Sequence, residues 1–160
     1  MTQNTKEYIS QNLKWPISNL SYLSNYFILI APIVLIYIGI TEYYRNNFTL
    51  TPFVTGMVLF VFITYRIETE RKFIKLALTK DLSTDDLAKI VEKINWSLKN
   101  QDDNVFEFST SISPISWGET VTVIKISRDT ILVNSQPSGK NPFSFRDRVN
   151  YNKIKSAIET

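Results

Sequence analysis

Among its 160 residues the chain has no cysteine and no histidine. Without cysteine there is no disulfide framework and no thiolate metal site. Without histidine, the commonest zinc ligand and the usual general base at neutral pH are both missing. Glycine-rich phosphate loops are absent as well. Ser138-Gly139-Lys140 lacks the glycine-rich lead and the strand-to-helix setting of such a loop, and reads as a turn. No nucleophile–base pair can be assembled, so the expectation is a protein that is not an enzyme, with no cofactor and no bound metal.

Charge is missing over two long stretches. None occurs from Trp15 to Thr41 (27 residues) or from Asn46 to Tyr65 (20 residues). About 20 apolar residues in a helix cross a hydrocarbon core of roughly 30 Å. Residues 26–65 therefore read as a transmembrane helical hairpin. Its first half is apolar all round and interrupted only by Pro32, while the second carries Thr49, Thr51, Thr55 and Thr64, whose hydroxyls can bond back to their own helix. Tyr22, Tyr26, Tyr43, Tyr44 and Tyr65 fall near the ends, where amphipathic rings sit at headgroup level. Neither span holds Asp, Glu, Lys or Arg, so no proton relay or ion pathway is encoded in them.

What charge there is gives an orientation. Lys6 and Lys14 precede the hairpin, and Arg66, Arg71, Lys72, Lys75 and Lys80 follow it; the connecting loop has only Arg45, beside Glu42. The positive-inside rule then places both termini in the cytoplasm. Residues 1–80 hold 8 Lys/Arg against 4 Asp/Glu, and residues 81–160 hold 10 against 11. The basic excess belongs to the membrane flanks, where it suits anionic headgroups, and a nucleic-acid footprint on the second half is not expected. Asn47-Phe48-Thr49 spells a glycosylation sequon at the mouth of the second span and reads as chance.

Residues 1–25 have no signal-peptide pattern; Ile9, Leu13, Ile17 and Leu20 recur at near-helical spacing, which predicts an amphipathic segment lying in the inner interface. Residues 66–80 continue without Gly or Pro and are rich in Glu, Arg, Lys and Leu, which predicts a helical stalk. Residues 81–160 form the remaining domain. Ser83 or Thr84 caps a helix with the apolar stripe Leu87, Ile90, Val91, Ile94 and Leu98. After a polar break at 99–104 the period changes to two. Strands are predicted around Phe106 and Phe108, over 119–127, and over 130–135 after an Arg128-Asp129 turn. Asn150 caps a last helix over 151–158. The order α-β-β-β-α predicts an antiparallel sheet covered on one side by two helices. The expected fold class is thus a two-helix transmembrane hairpin with a small cytoplasmic α+β domain.

Two constellations stand out. Trp117-Gly118-Glu119, with Arg146 and Arg148 later in the chain, could give a ligand or partner surface able to hold a small anion; alternatively Gly118 makes a turn and Trp117 covers the core edge. On the hairpin, Thr51, Thr55 and Gly56 form a low-profile face that could pack against the first span around Gly39 or between copies of the chain.

The run Ser116-Trp117-Gly118-Glu119, the hairpin ending Val133-Asn134-Ser135, then Phe143-Ser144-Phe145 and Asn150, resembles a small domain of uncharacterised bacterial two-transmembrane proteins, over about the last 55 residues. The resemblance implies a bacterial inner-membrane protein and a domain boundary, and brings no activity or ligand. Where a glycine and a basic cluster often follow the aromatic pair, this chain has Arg146-Asp147-Arg148. Two functions are then expected in competition. One is a membrane-anchored docking or sensing module that acts on a protein partner. The other is an oligomerising, membrane-disrupting effector, since the two-helix anchor with a small domain is similar in architecture to some bacterial antiphage effectors. Partners in either case are the lipid bilayer and a protein or a second copy, not nucleic acid.

Overall fold

Two helices long and apolar enough to cross a membrane are followed by an antiparallel five-stranded sheet. The computed structural model describes residues 1–17, 24–45, 50–78, 83–111, 118–137 and 147–159. The chain divides into two units, Ile17–Thr69 and a second assembled from Met1–Pro16 together with Glu70–Thr160.

In the first unit a 3-10 turn, Ser24–Leu29, leads into α2 (Ile30–Tyr44), and a second long helix, α3, runs over Leu50–Glu70. Pro32 and Pro52 both stand in a first turn, where a missing N–H leaves no helical bond unmade. The Tyr26 hydroxyl donates to Glu68 Oε1 at 2.7 Å, which ties the start of the first helix to the end of the second.

The second unit begins with α1 (Gln3–Asn12), which ends on Leu13 in the left-handed region (φ 51°) with its N–H donated to Ile9 C=O. The sheet comprises β1 (Ile74–Ala77), β2 (Ser97–Asp102), β3 (Val105–Ser109), β4 (Glu119–Ser127) and β5 (Thr130–Pro137), in the order β1-β5-β4-β3-β2. Two further helices, α4 (Thr84–Lys93) and α5 (Asp147–Glu159), complete it. The main core lies on the α4/α5 side. Leu87, Val91 and Ile154 from the helices meet Phe106, Phe108, Val121, Val123, Ile131 and Val133 from the strands. Alternate residues of a strand face opposite ways, so the other side of the sheet offers Phe73, Val105, Ile124 and Leu132. These bury Ile9 of α1 completely.

α4 is capped as its sequence predicts. Ser83 and Asp86 form a capping box, and the hydroxyl and backbone N–H of Ser83 donate to the Asp86 carboxylate at 2.6 and 3.1 Å. Those bonds, the hydroxyl's first, hold the Asp86 carboxyl below its usual pKa. Asp129 is likewise lowered, by the hydroxyls of Ser127 and then Thr130 across the β4–β5 turn.

Four expectations are corrected. The helical stalk over 66–80 does not form: α3 stops at Glu70 and Ile74–Ala77 is a strand paired with β5 through Ile74↔Val133 and Leu76↔Ile131. The helical stripe ends early because Asn95 enters the left-handed region (φ 59°). Asn95 N–H bonds Glu92 C=O at 3.0 Å and Trp96 N–H bonds Val91 C=O at 3.1 Å, a paired closure of the last turn. Ile94 becomes a half-buried cap residue, and Leu98 passes to an exposed edge strand that runs on into what reads as a polar break at 99–104. Asn150 is not a cap: α5 begins at Asp147, and Asn150 is buried inside it. The first segment packs α1 on the sheet, through Ile9, and so covers the second sheet face as well.

Candidate functional site

A dense polar cluster of the sheet unit gathers where the chain leaves it for the apolar helices and where it returns. Trp15 N–H donates to Arg71 C=O at 3.0 Å and Phe73 N–H to Leu13 C=O at 2.8 Å, an antiparallel bridge in which Lys14 faces Lys72. The Arg71 guanidinium, buried, donates twice to Trp15 C=O, at 2.7 and 3.1 Å. Asn134 of β5, only 2% exposed, locks both segments. Its Nδ2 donates to the carbonyls of Glu70 and Lys72, each at 2.8 Å, and its Oδ1 accepts Trp15 Nε1–H at 3.0 Å. The two donors and the acceptor of one amide are thereby used in three directions. The Trp15 ring then tilts against Phe73 with centroids 5.2 Å apart. Within this unit, the points of departure and return are held beside one another.

Sequence reasoning missed this clamp. Asn134 sits in an ordinary alternating strand, and nothing local marks it as a junction residue. A bulky-strand position occupied by asparagine was the only signal.

The anion-surface expectation is resolved in part. Gly118 stands at φ 84°, where a side chain is disfavoured, and turns the chain into β4. Glu119 then points inward and is 1% exposed. Its Oε2 accepts the Ser135 hydroxyl and Asn150 Nδ2–H, each at 2.5 Å, while Asn150 also reaches Ser135 Oγ at 3.0 Å. Thr110 Oγ1 accepts the Glu119 N–H at 2.9 Å. Glu119 therefore joins α5 to the sheet from inside, rather than lining a surface. Arg148 is exposed on α5. Trp117 and Arg146 lie outside the described residues.

The small-residue face of the hairpin is used within the hairpin. A Cβ on Gly39 would meet Phe53 backbone N and Cβ at 2.6 Å, and one on Gly56 would meet Pro32 O and Ile36 Cγ1 at 2.8 Å. Thr51 and Thr55, by contrast, are exposed. Gly56→Leu is therefore expected to prise α2 from α3, at about 1–3 kcal/mol of overpacking. Because the chain has no native cysteine, spin labels on cysteines placed at exposed Val34 and Val58 attach nowhere else, and should report a longer, broader distance in the leucine variant. An unchanged distance accompanied by loss of an oligomer would place the glycine face between copies instead.

No family model matches the chain, and neither a curated protein nor a solved structure does.

Proposed function

We infer that this chain is a non-catalytic, bilayer-anchored interaction module of a bacterial inner membrane. Its hairpin anchors, and its sheet domain docks a protein partner or a second copy at the cytoplasmic face. The observation that carries the reading is the interleaving of the two units. The sheet domain is assembled from residues on both sides of the hairpin, and its two flanks are hydrogen-bonded to each other through residues 13–15 and 71–73. Both flanks therefore occupy one compartment, and an apolar segment that leaves and re-enters one compartment crosses a bilayer an even number of times.

The surface of the helices favours lipid over water. Phe27, Ile30 and Tyr37 of the first span and Val58, Val61 and Tyr65 of the second are more than half exposed. A continuous apolar surface of that kind is costly in water, at roughly 25 cal/mol per Å². The connecting loop adds no net charge, since its Arg45 lies 3.9 Å from Glu42, whereas the flanks are basic. A membrane-breaching assembly would need a close-packing face between copies, and both glycines that could offer one are occupied inside the hairpin.

Fluorescent-protein fusions before Met1 and after Thr160 should both glow, and alkaline phosphatase inserted between Arg45 and Leu50 should be active. Strong phosphatase activity from a fusion after Thr160 would overturn the orientation.

A further inference from the structure

α5 has apolar residues on two of its sides. The inner side carries Ile154, fully buried, and Asn150, which reaches Glu119. Val149 lies on another side and is 45% exposed. It borders an open groove of about 560 Å³ between α5 and the end of α4. Ile94 lines the groove from α4, and Val149, Asn152, Lys153, Ser156 and Ala157 line it from α5. Their spacing sets those five on a single stripe of the helix, over about 12 Å. Lys153 is the one ionisable group among the described lining residues. Arg148, one turn before Asn152, and Lys93, beside Ile94, are exposed as well. Among the described residues none of these three cations has an ion-pair partner. The described acidic side chains of the two helices are engaged or turned away. Asp86 caps the far end of α4, Glu159 pairs with Lys155 at 3.8 Å, and Glu92 stands about 200° around α4 from Ile94.

We propose that this groove docks an amphipathic helix of a second protein, with its apolar residues over Ile94 and Val149 and an aspartate or glutamate beside Lys153. The inference rests on the docking function proposed above, and gives it a surface and a partner chemistry. An open groove that follows one helix for two turns receives the face of another helix, whereas a small molecule needs a site that encloses it. Ala157 leaves room for close approach of the two backbones. The charge argues against a second copy as the occupant. A two-fold contact presents the same patch from both sides and would set Lys153 and its neighbouring cations against themselves. A lipid surface is a poorer match, because three apolar side chains interrupted by Asn152 and Ser156 do not make a face that enters the acyl layer. An acidic helix supplies both the missing charge and the missing apolar cover.

The test places photo-crosslinking benzoylphenylalanine at exposed Ser156 of the full chain, in the cells that naturally make it, and in a separate chain at exposed Asn100 on β2. Mass spectrometry of the Ser156 product should identify a segment of another protein, with apolar residues at helical spacing beside Asp or Glu. Val149→Asp should lower the yield of that product about tenfold, as loss of a central apolar contact does. Lys153→Glu should lower it about fivefold, and Lys153→Arg should keep it. Both positions are exposed, so the purified variants should melt at the midpoint of the natural chain. A Ser156 product made with a second copy, a lipid adduct alone, or a yield unchanged by Val149→Asp would overturn the proposal. A protein product from Asn100 with none from Ser156 would remove the groove and leave the docking function standing. Absence of a protein product at both positions would remove both.

Discussion

Replacing Asn134 by leucine is expected to open the junction between residues 13–15 and 71–73 while leaving the far side of the sheet intact. The substitution removes three hydrogen bonds at once, to Trp15 Nε1 and to the carbonyls of Glu70 and Lys72. With about 1 kcal/mol net for each bond, the local loss is about 3 kcal/mol, or roughly a hundredfold in the opening equilibrium. Hydrogen exchange should report this directly. The amides of Trp15 and Phe73, which close the bridge, should exchange roughly a hundredfold faster, while that of Val123 in the central strand should change little. Asn134→Asp is the sharper variant. It keeps the shape and can still accept from Trp15, but it sets a second oxygen against two carbonyl oxygens, so it should open the bridge at least as far as leucine does. If the aspartate variant exchanged like the natural chain, the amide would not be the lock.

The second large effect concerns the core on the α4/α5 side. Phe108 is fully buried, and its ring stacks on Phe106 with centroids 6.2 Å apart. Phe108→Ala should cost about 3–5 kcal/mol, a large share of the 5–15 kcal/mol typical of a whole domain. Ile94→Ala, at the centre of the stripe read from the sequence but half-buried in the fold, should cost well under half as much. Thermal melting of the two full-length variants in detergent gives the comparison. Equal losses would mean that Ile94 is packed as deeply as Phe108, and that the helix does not end where Asn95 turns it.

The misplacement of Ile94 shows where reading by periodicity gives out. Leu87 and Val91 are buried as the helical period requires, but the same period also extends through Leu98, which lies on a strand. The stop was in fact written locally: an asparagine followed by tryptophan, with Asn95 left-handed and Trp96 returning to the core beside Val91. For Glu119 the residue type stands out in the sequence and its partners do not. A charged side chain after a glycine turn suggests a surface, and only the approach of Asn150 from α5 and Ser135 from β5 makes the interior habitable for a carboxylate. Of its four companions in the anion-surface expectation, Gly118 has the turn role that its residue type suggests, and Arg148 is on the surface.

Features that depend on neighbouring residues alone are legible in the chain before it folds. Two uncharged apolar stretches are long enough to span a bilayer because length and composition are local. The β4–β5 hairpin follows from β-branched alternation on either side of Arg128-Asp129, and the start of α4 follows from Ser83 and Asp86. The rest depends on contacts between distant segments. Residues 74–77 carry no strong preference between helix and strand, and become β1 because β5, more than fifty residues away, supplies the ladder from Thr130 to Val133. β2 can be polar but for Leu98 because it is an edge with one paired side. The N-terminal helix lies on the sheet because a socket of Phe73, Val105, Ile124 and Leu132 exists there for Ile9. Each of these outcomes is set by hydrogen bonds and buried area shared between segments far apart in the chain, and such partners leave no periodic trace in either segment on its own.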